Sequence, residues 1–262
     1  MIPIFLFILG AALGSFANAV VWRLHSKRNF VSERSECEYC HHTLAPADLI
    51  PIVSWLMLRG RCRYCHLRLS VQHPLTELIT GLLFAFSFVW WPGGFHGYTD
   101  VLSFGFWLVY LVGMVMLFLY DLHWQLLPDK ILIPLIGLAM IEVVLVHAIL
   151  EGEGILPLAH AGAGIMVLAG FFGFLYLVSK GRWIGFGDVK LGVFMGVVLG
   201  MPASLFALFG SYYIAAAIVL PLFVTKMVTR QSKVAFGPFL LISFVLCFFL
   251  SEPLSNWLSI IF

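Results

Sequence analysis

The chain has 262 residues, 61% of them hydrophobic and 11% charged, with a mean hydropathy of +1.01 and a formal net charge of +2. A soluble domain carries about 25% charged residues, so an ordinary soluble globule is excluded, and so small a net charge gives no reason to expect nucleic-acid binding. What remains is an all-α polytopic membrane protein, because helices satisfy their own backbone groups in lipid.

An apolar run of roughly 20 residues spans the hydrocarbon core as a helix. By that measure eight transmembrane helices are predicted, at about 2–22, 76–92, 100–120, 131–149, 158–179, 186–201, 203–225 and 236–259. The sixth, from Asp188 to Gly200, is short and reads as a partial or tilted span; a re-entrant course there would change the side of everything downstream. The basic residues test the layout. Arg23, Lys27, Arg28, Arg34, Arg59, Arg61, Arg63 and Arg68 fall in the first loop, Lys130 in the third, Lys180, Arg182 and Lys190 in the fifth, and Lys226, Arg230 and Lys233 in the last. With eight spans all 15 lie on one side, and the loops 92–99 and 150–157 have none. The positive-inside rule then puts the N-terminus outside and these segments in the cytoplasm. Residues 1–22 lack a basic leading segment, and their positive charges follow the apolar run, as in an uncleaved anchor. The expected organisation is a first transmembrane helix (1–22), a cytoplasmic loop domain (23–75) and a membrane domain holding the other helices (76–262).

The loop domain carries Cys37-Glu38-Tyr39-Cys40 and Cys62-Arg63-Tyr64-Cys65, with 21 residues between the pairs. Two C-x2-C pairs supply four thiolates in the pattern of a tetrahedral structural zinc site. So small a polar segment needs a metal or a cross-link to fold. Two disulfides are the alternative, disfavoured by a reducing cytoplasm. His41, His42 and His66 lie beside the cysteines and read as solvated loop residues, though one is able to replace a thiolate. Cys247, inside the last apolar run, reads as a small buried hydrophobe.

Two aspartates lie at the ends of apolar runs: Asp121, before His123 and Pro128-Asp129, and Asp188, in Gly185-Phe186-Gly187-Asp188-Val189-Lys190. Ionisable groups at membrane depth point to function. In the predicted topology both sit at cytoplasmic helix ends, at similar depth. Two neighbouring acids share a proton, one activating water while the other polarises a carbonyl, which is aspartic-protease chemistry. The Gly-x-Gly before Asp188 allows close approach of backbone and substrate and permits positive φ; it lacks the third glycine of a dinucleotide loop. Each acid alone is equally readable as a helix cap or salt-bridge partner, with Lys190 near Asp188. Asp129 reads as a turn or N-cap acid. Glu77, after Pro74, reads as a first-turn acid favourable to the helix dipole. Glu142, inside the fourth span, needs a partner or a wet cavity.

These motifs, in order, resemble the bacterial type IV prepilin peptidases. The resemblance runs from Gly14-Ser15-Phe16-Ala17-Asn18 and Arg23, through the paired cysteines with Asp48-Leu49-Ile50-Pro51, Ser54-Trp55-Leu56 and Arg59-Gly60-Arg61-Cys62, to Pro74 and Glu77-Leu78. It continues through Asp121, Pro128-Asp129 and the Gly-Phe-Gly-Asp segment to Phe236-Gly237-Pro238-Phe239. It implies an inner-membrane aspartic protease of the Gly-x-Gly-Asp type, with Asp121 and Asp188 as its catalytic pair. Such an enzyme removes the basic leader of prepilins or pseudopilins after a glycine, at the cytoplasmic face of the lipid bilayer. It also implies S-adenosylmethionine-dependent methylation of the new N-terminal amine, and it maps the family's cysteine loop onto Cys37, Cys40, Cys62 and Cys65 as Zn2+ ligands. The residues that would bind S-adenosylmethionine are not identifiable from the sequence. The Gly14–Asn18 segment reads as a helix-packing surface, with small residues at Gly10, Ala11, Gly14, Ala17 and Asn18, or alternatively as the methylation site. Glu38 stands where the family often has proline. The acids Glu33, Glu36, Glu38 and Asp48 lie in a net-basic loop, a weak guide for a basic leader. The rival readings are an ion or proton transporter using Asp121, Asp188 and Glu142, and a structural assembly factor of a secretion system.

Overall fold

The structure is a computed structural model that describes residues 1–27, 35–227 and 234–251. Among the predicted features, Arg28, Glu33, Arg34, Arg230, Lys233 and the end of the last span, 252–259, lie outside the described residues.

The described residues are helical apart from turns and two isolated antiparallel bridges. The long helices are α1 (Ile2–His25), α3 (Gln72–Val89), α4 (Tyr98–Trp124), α5 (Asp129–Glu142, continued by a π-helix over Val143–Leu150), α6 (Leu156–Ser179), α7 (Phe186–Leu199), α8 (Ala203–Val224) and α9 (Gly237–Phe249); α2 (Val53–Met57) is a single short turn of the first loop. Among the described residues five helices are long and apolar enough to cross a membrane: α1, α4, α5 with its π-helical extension, α6 and α8. That is fewer than the eight predicted. α7 has only 14 residues and α9 has 13 described ones. α3 begins at Gln72, four residues before its predicted start, so that Gln72, His73 and Pro74 belong to its first turn.

Two compact units form. The first comprises Met1–Trp90 with Leu108–Leu119, the second Trp91–Trp107 with the chain from Tyr120 onward. In the first unit α1 packs on α3 through small residues. A methyl group added at Gly10 would lie 2.8 Å from the Phe84 ring and from the Thr80 carbonyl, and one at Gly14 would lie 2.9 Å from Thr80 Oγ1. Backbones come this close only without side chains between them, and dispersion then replaces a hydrophobic drive that lipid does not supply. The helix-packing reading of Gly10 and Gly14 is therefore correct.

The second unit repeats this device. A methyl at Gly196 of α7 would fall 2.5 Å from the Ile165 amide nitrogen of α6, and one at Gly192 would fall 3.0 Å from that of Ala169. α8 and α9 meet where Ser243 Oγ donates to the Ala207 carbonyl at 2.8 Å. Trp107 of α4 stacks on Phe248 of α9 with ring centroids 3.8 Å apart. Exposed Met166, Phe174, Leu177, Tyr213 and Val224 give α6 and α8 apolar outer faces, as lipid contact requires. Cys247 is buried in α9, as expected of a small hydrophobe.

Candidate functional site

In the first loop the two cysteine pairs fold into two copies of one turn. Cys37 N–H donates to the His42 carbonyl and His41 N–H to the Cys37 carbonyl; Cys62 N–H donates to Leu67 and His66 N–H to Cys62. The antiparallel bridges Glu36–Thr43 and Arg61–Arg68 close the two turns. His41 and His66 occupy equivalent left-handed positions, with φ of 55° and 60°. The amides of Tyr39 and Cys40 reach the Cys37 thiol, and those of Tyr64 and Cys65 reach Cys62.

The four sulfurs converge to within 4.8 Å of one another, and Cys37 Sγ lies 3.9 Å from Cys65 Sγ. A tetrahedral ion with bonds of about 2.3 Å needs S···S edges of about 3.8 Å, so the donors fit a metal. All five cysteines are free of disulfides. Burial works to raise the Cys62 thiol, but amide and thiol hydrogen bonds outweigh it and lower it to about 7; burial, aided by neighbouring thiols, pushes Cys37 up to about 12. A cation bound by the four sulfurs would draw their protons away. His41, His42 and His66 are exposed; His42 stacks on Tyr64 at 3.7 Å, and His41 Nδ1 lies 3.3 Å from Glu36.

Between the turns the chain is held by buried acids. The Asp48 side chain, 3% exposed, accepts from Arg63 Nε at 2.6 Å, from the Ala45 amide at 3.2 Å and from Tyr64 Oη at 3.2 Å. Burial works against its charged form, but these hydrogen bonds and the Arg63 charge win and hold the carboxyl below its ordinary range. Glu77 is not a first-turn acid. It lies in the second turn of α3, is buried, and accepts the Ile52 N–H at 2.6 Å. Ile52 has φ +63° and ψ −51°, and Val53 N–H closes back on the Pro51 carbonyl at 2.5 Å. This is a strained γ-turn, rare for a β-branched residue, and the Glu77 carboxylate holds its apex.

In the second unit Asp121 lies one turn before the end of α4 and is 6% exposed. α4 stops because Gln125 turns left-handed at φ 52°, and Pro128 then caps α5. The Gly237 N–H, at the start of α9, donates to the Asp121 carboxylate. A methyl at Gly237 would stand 2.5 Å from Asp121 Oδ2, so only glycine leaves room for this approach. Asp188 is the third residue of α7 and accepts the Gly185 N–H at 3.2 Å. It does cap its helix, and its charge neighbour is Asp121. The chain thus brings the acids of 121 and 188, 67 positions apart, into one electrostatic neighbourhood.

Neither Gly185 nor Gly187 uses positive φ. Gly187 instead admits Leu127, whose Cβ would lie 3.0 Å from an added methyl; its role is to seat the α4–α5 loop against α7. Lys190 is held by Asp129, at 2.6 and 2.7 Å to the two carboxylate oxygens, which ties the start of α5 to α7. Asp129 is thus the first residue of a helix and an ion-pair partner. Glu142 is buried at the junction of α5 and its π-helix. Tyr212 of α8 feels the Asp188 charge and lies 5.1 Å, ring to ring, from Phe236 beside Gly237. The sequence carried no signal for Tyr212, one aromatic among many in an apolar run.

The chain matches two family models, the Bacterial Peptidase A24 N-terminal domain over residues 8–91 and the Type IV leader peptidase family over residues 108–220. It is 29% identical over 257 residues to a prepilin leader peptidase/N-methyltransferase of Bacillus subtilis (strain 168), covering 96% of each chain. It is 31% identical over 228 residues to a type 4 prepilin-like proteins leader peptide-processing enzyme of Escherichia coli O78:H11 (strain H10407 / ETEC), covering 78% of each. Over 84 residues it is 49% identical to a prepilin leader peptidase/N-methyltransferase of Myxococcus xanthus (strain DK1622), covering 32% of this chain and 25% of that one. No solved structure matches it.

Proposed function

From the premise that this chain belongs to the type IV leader peptidase family, we propose that it is a membrane aspartic endopeptidase that removes the leader of type IV prepilins or pseudopilins and then methylates the new N-terminus. The observation that carries the reading is the meeting of Asp121 and Asp188 in one neighbourhood, each held by a glycine amide.

In an aspartic-protease pair the two carboxyl groups share one proton. One carboxylate takes a proton from water, and the water oxygen bonds to the scissile carbonyl carbon. The other acid gives its proton to the carbonyl oxygen. Collapse of the tetrahedral adduct breaks the C–N bond, and the leaving amine takes up the proton. Glycine amides on both carboxylates fix which oxygens remain free for this exchange. Gly237 therefore belongs to the catalytic apparatus as a positioning residue.

The finer assignments belong to the same proposal. The ion in the four-cysteine cluster is zinc, held by Cys37, Cys40, Cys62 and Cys65. The chain crosses the bacterial inner membrane eight times, with α3, α7 and α9 as short or tilted spans, the N-terminus outside, and acids and metal loop facing the cytoplasm. Residues 1–22, 23–75 and 76–262 act as anchor, metal loop and protease. S-adenosylmethionine, when bound, supplies an electrophilic methyl group to a free amine. The processing names of the relatives give the transporter reading no support. The test is incubation of the purified protein with a prepilin, with and without S-adenosylmethionine, read by mass spectrometry. Leader loss in both samples and methyl gain only with the donor are expected; an intact leader in both would overturn the reading.

A further inference from the structure

The first unit contains an open cavity that hydrolysis does not use. Among its lining residues are Ser15, Asn18 and Trp22 of α1, Trp55 of α2, and His73 and Glu77 of α3. Its cavity volume is about 180 Å³ and it widens into an open mouth, so it seats part of a ligand of nucleoside size, with the rest in the mouth.

Two polar atoms on its wall are buried without a partner: Asn18 Oδ1 and Trp55 Nε1. The Asn18 amide is oriented, because its Nδ2 donates to the His73 carbonyl at 3.4 Å. A buried polar atom left unsatisfied costs about 1–3 kcal/mol, and each such atom in a native fold calls for an explanation. Among the described residues four side-chain atoms are in this state, and two of them line this one cavity. One is an acceptor and the other a donor, so the ligand must offer the opposite pair.

The walls add two further demands. Trp22 and Trp55 supply indole surfaces, which attract planar rings and organic cations. The Glu77 carboxylate adds negative charge. Glu77 also holds the strained Ile52 turn from which α2 starts, so the wall carrying Trp55 is preorganised. Strain of this kind persists where surrounding structure over-determines it, and it gathers at binding sites. Gly10 and Gly14 pack α1 on α3, leaving Ser15 and Asn18 of the same segment to face the cavity.

We propose that the juxtaposed Asn18 amide oxygen, Trp55 indole N–H and Glu77 carboxylate form the binding site for S-adenosylmethionine. The assignment rests on the methylation half of the proposed function. The methyl donor carries one sulfonium, an ammonium and an adenine as donors and cations, with a carboxylate and ring nitrogens as acceptors. The free N-terminal amine of a processed substrate shares part of this chemistry, and the experiment separates the two.

Full-length protein in lipid nanodiscs is titrated calorimetrically with S-adenosylhomocysteine, and separately with a short peptide bearing a free N-terminal phenylalanine. Asn18→Leu replaces the whole amide, including its bond to the His73 carbonyl, by an apolar group of like size, and Trp55→Phe removes the indole N–H while keeping an aromatic ring. Each is expected to weaken S-adenosylhomocysteine binding about tenfold, with metal content and thermal midpoint matching the parent. Parent-like binding by both variants would place the donor elsewhere, overturning the site and leaving the methylation reading intact. Weakened peptide binding with undiminished S-adenosylhomocysteine binding would assign the cavity to the amine and overturn the proposal. No binding of S-adenosylhomocysteine by the parent would overturn both the site and the methylation reading. Should either variant fail to fold, ultraviolet cross-linking of radiolabelled S-adenosylmethionine to the parent decides: adducts within residues 15–22, 49–58 or 73–77 support the site, and adducts confined to other segments refute it.

Discussion

The two units hold their functional side chains by different physics. In the first, polar contacts dominate: duplicated cysteine turns, a buried Asp48 with three donors, and Glu77 gripping a strained amide. Little apolar area is available there, since much of the loop's hydrophobic surface (Leu49, Ile50, Val53, Leu56, Met57) is exposed. In the second, glycines let helices touch, and the acids sit at helix ends where a glycine amide satisfies each of them. A polar module can be dismantled one hydrogen bond at a time, whereas a glycine-packed helix bundle fails at single atoms of excess volume.

That contrast is open to experiment. The largest expected effect is at the acid pair. Asp121→Asn or Asp188→Asn should lower leader removal by about 10³–10⁴-fold, the span of a lost acid–base group, with the protein still in the membrane and its metal content unchanged; cleavage retained by both variants would dissolve the catalytic assignment. Next comes added volume. Gly237→Ala puts a methyl 2.5 Å from Asp121 Oδ2 and should cost about 10²-fold in cleavage by displacing the carboxylate, again without metal loss. In the polar module, replacing Cys37 and Cys40 by serine should abolish bound zinc and render the loop sensitive to protease; equal zinc in parent and variant, by elemental analysis, would remove the metal from the account. Glu77→Ala strands the Ile52 amide and should destabilise the module by about 1–3 kcal/mol, seen as faster hydrogen exchange at residues 52–58.

The smallest effect is a pH dependence. The folded Asp48 carboxyl lies below its ordinary value, so its contribution is complete above about pH 4 and fades as pH falls through the lowered folded value. Acid titration of the loop's tyrosine fluorescence should show Asp48→Asn flattening that transition, while neutral-pH behaviour separates the variants only slightly.

What the sequence revealed and concealed follows the same division. The cysteine cluster was legible because its chemistry lies in residue type and short spacing, whereas Asp121 and Asp188 stood out only as acids at the ends of apolar runs. Helix positions were legible from apolar runs, but length was not decisive: α7, with 14 residues, meets no single-helix criterion for spanning. Glu77 was misread because α3 starts at Gln72, so Pro74 lies inside the helix's first turn rather than at its boundary. The contacts of Gly237 with Asp121, Lys190 with Asp129 and Asn18 with His73 join positions 116, 61 and 55 apart. No local period encodes such meetings.

The duplicated cysteine turn has a consequence for how the chain tolerates change in length. A metal held by both turns would act as a staple across the segment between Cys40 and Cys62. Loop-closure entropy grows slowly, so doubling that segment adds only about 0.6 kcal/mol, and inserted residues at its exposed points cost little. One residue added within either pair, by contrast, removes the paired amides from the sulfur they serve. Length variation is therefore expected between the turns and never inside them.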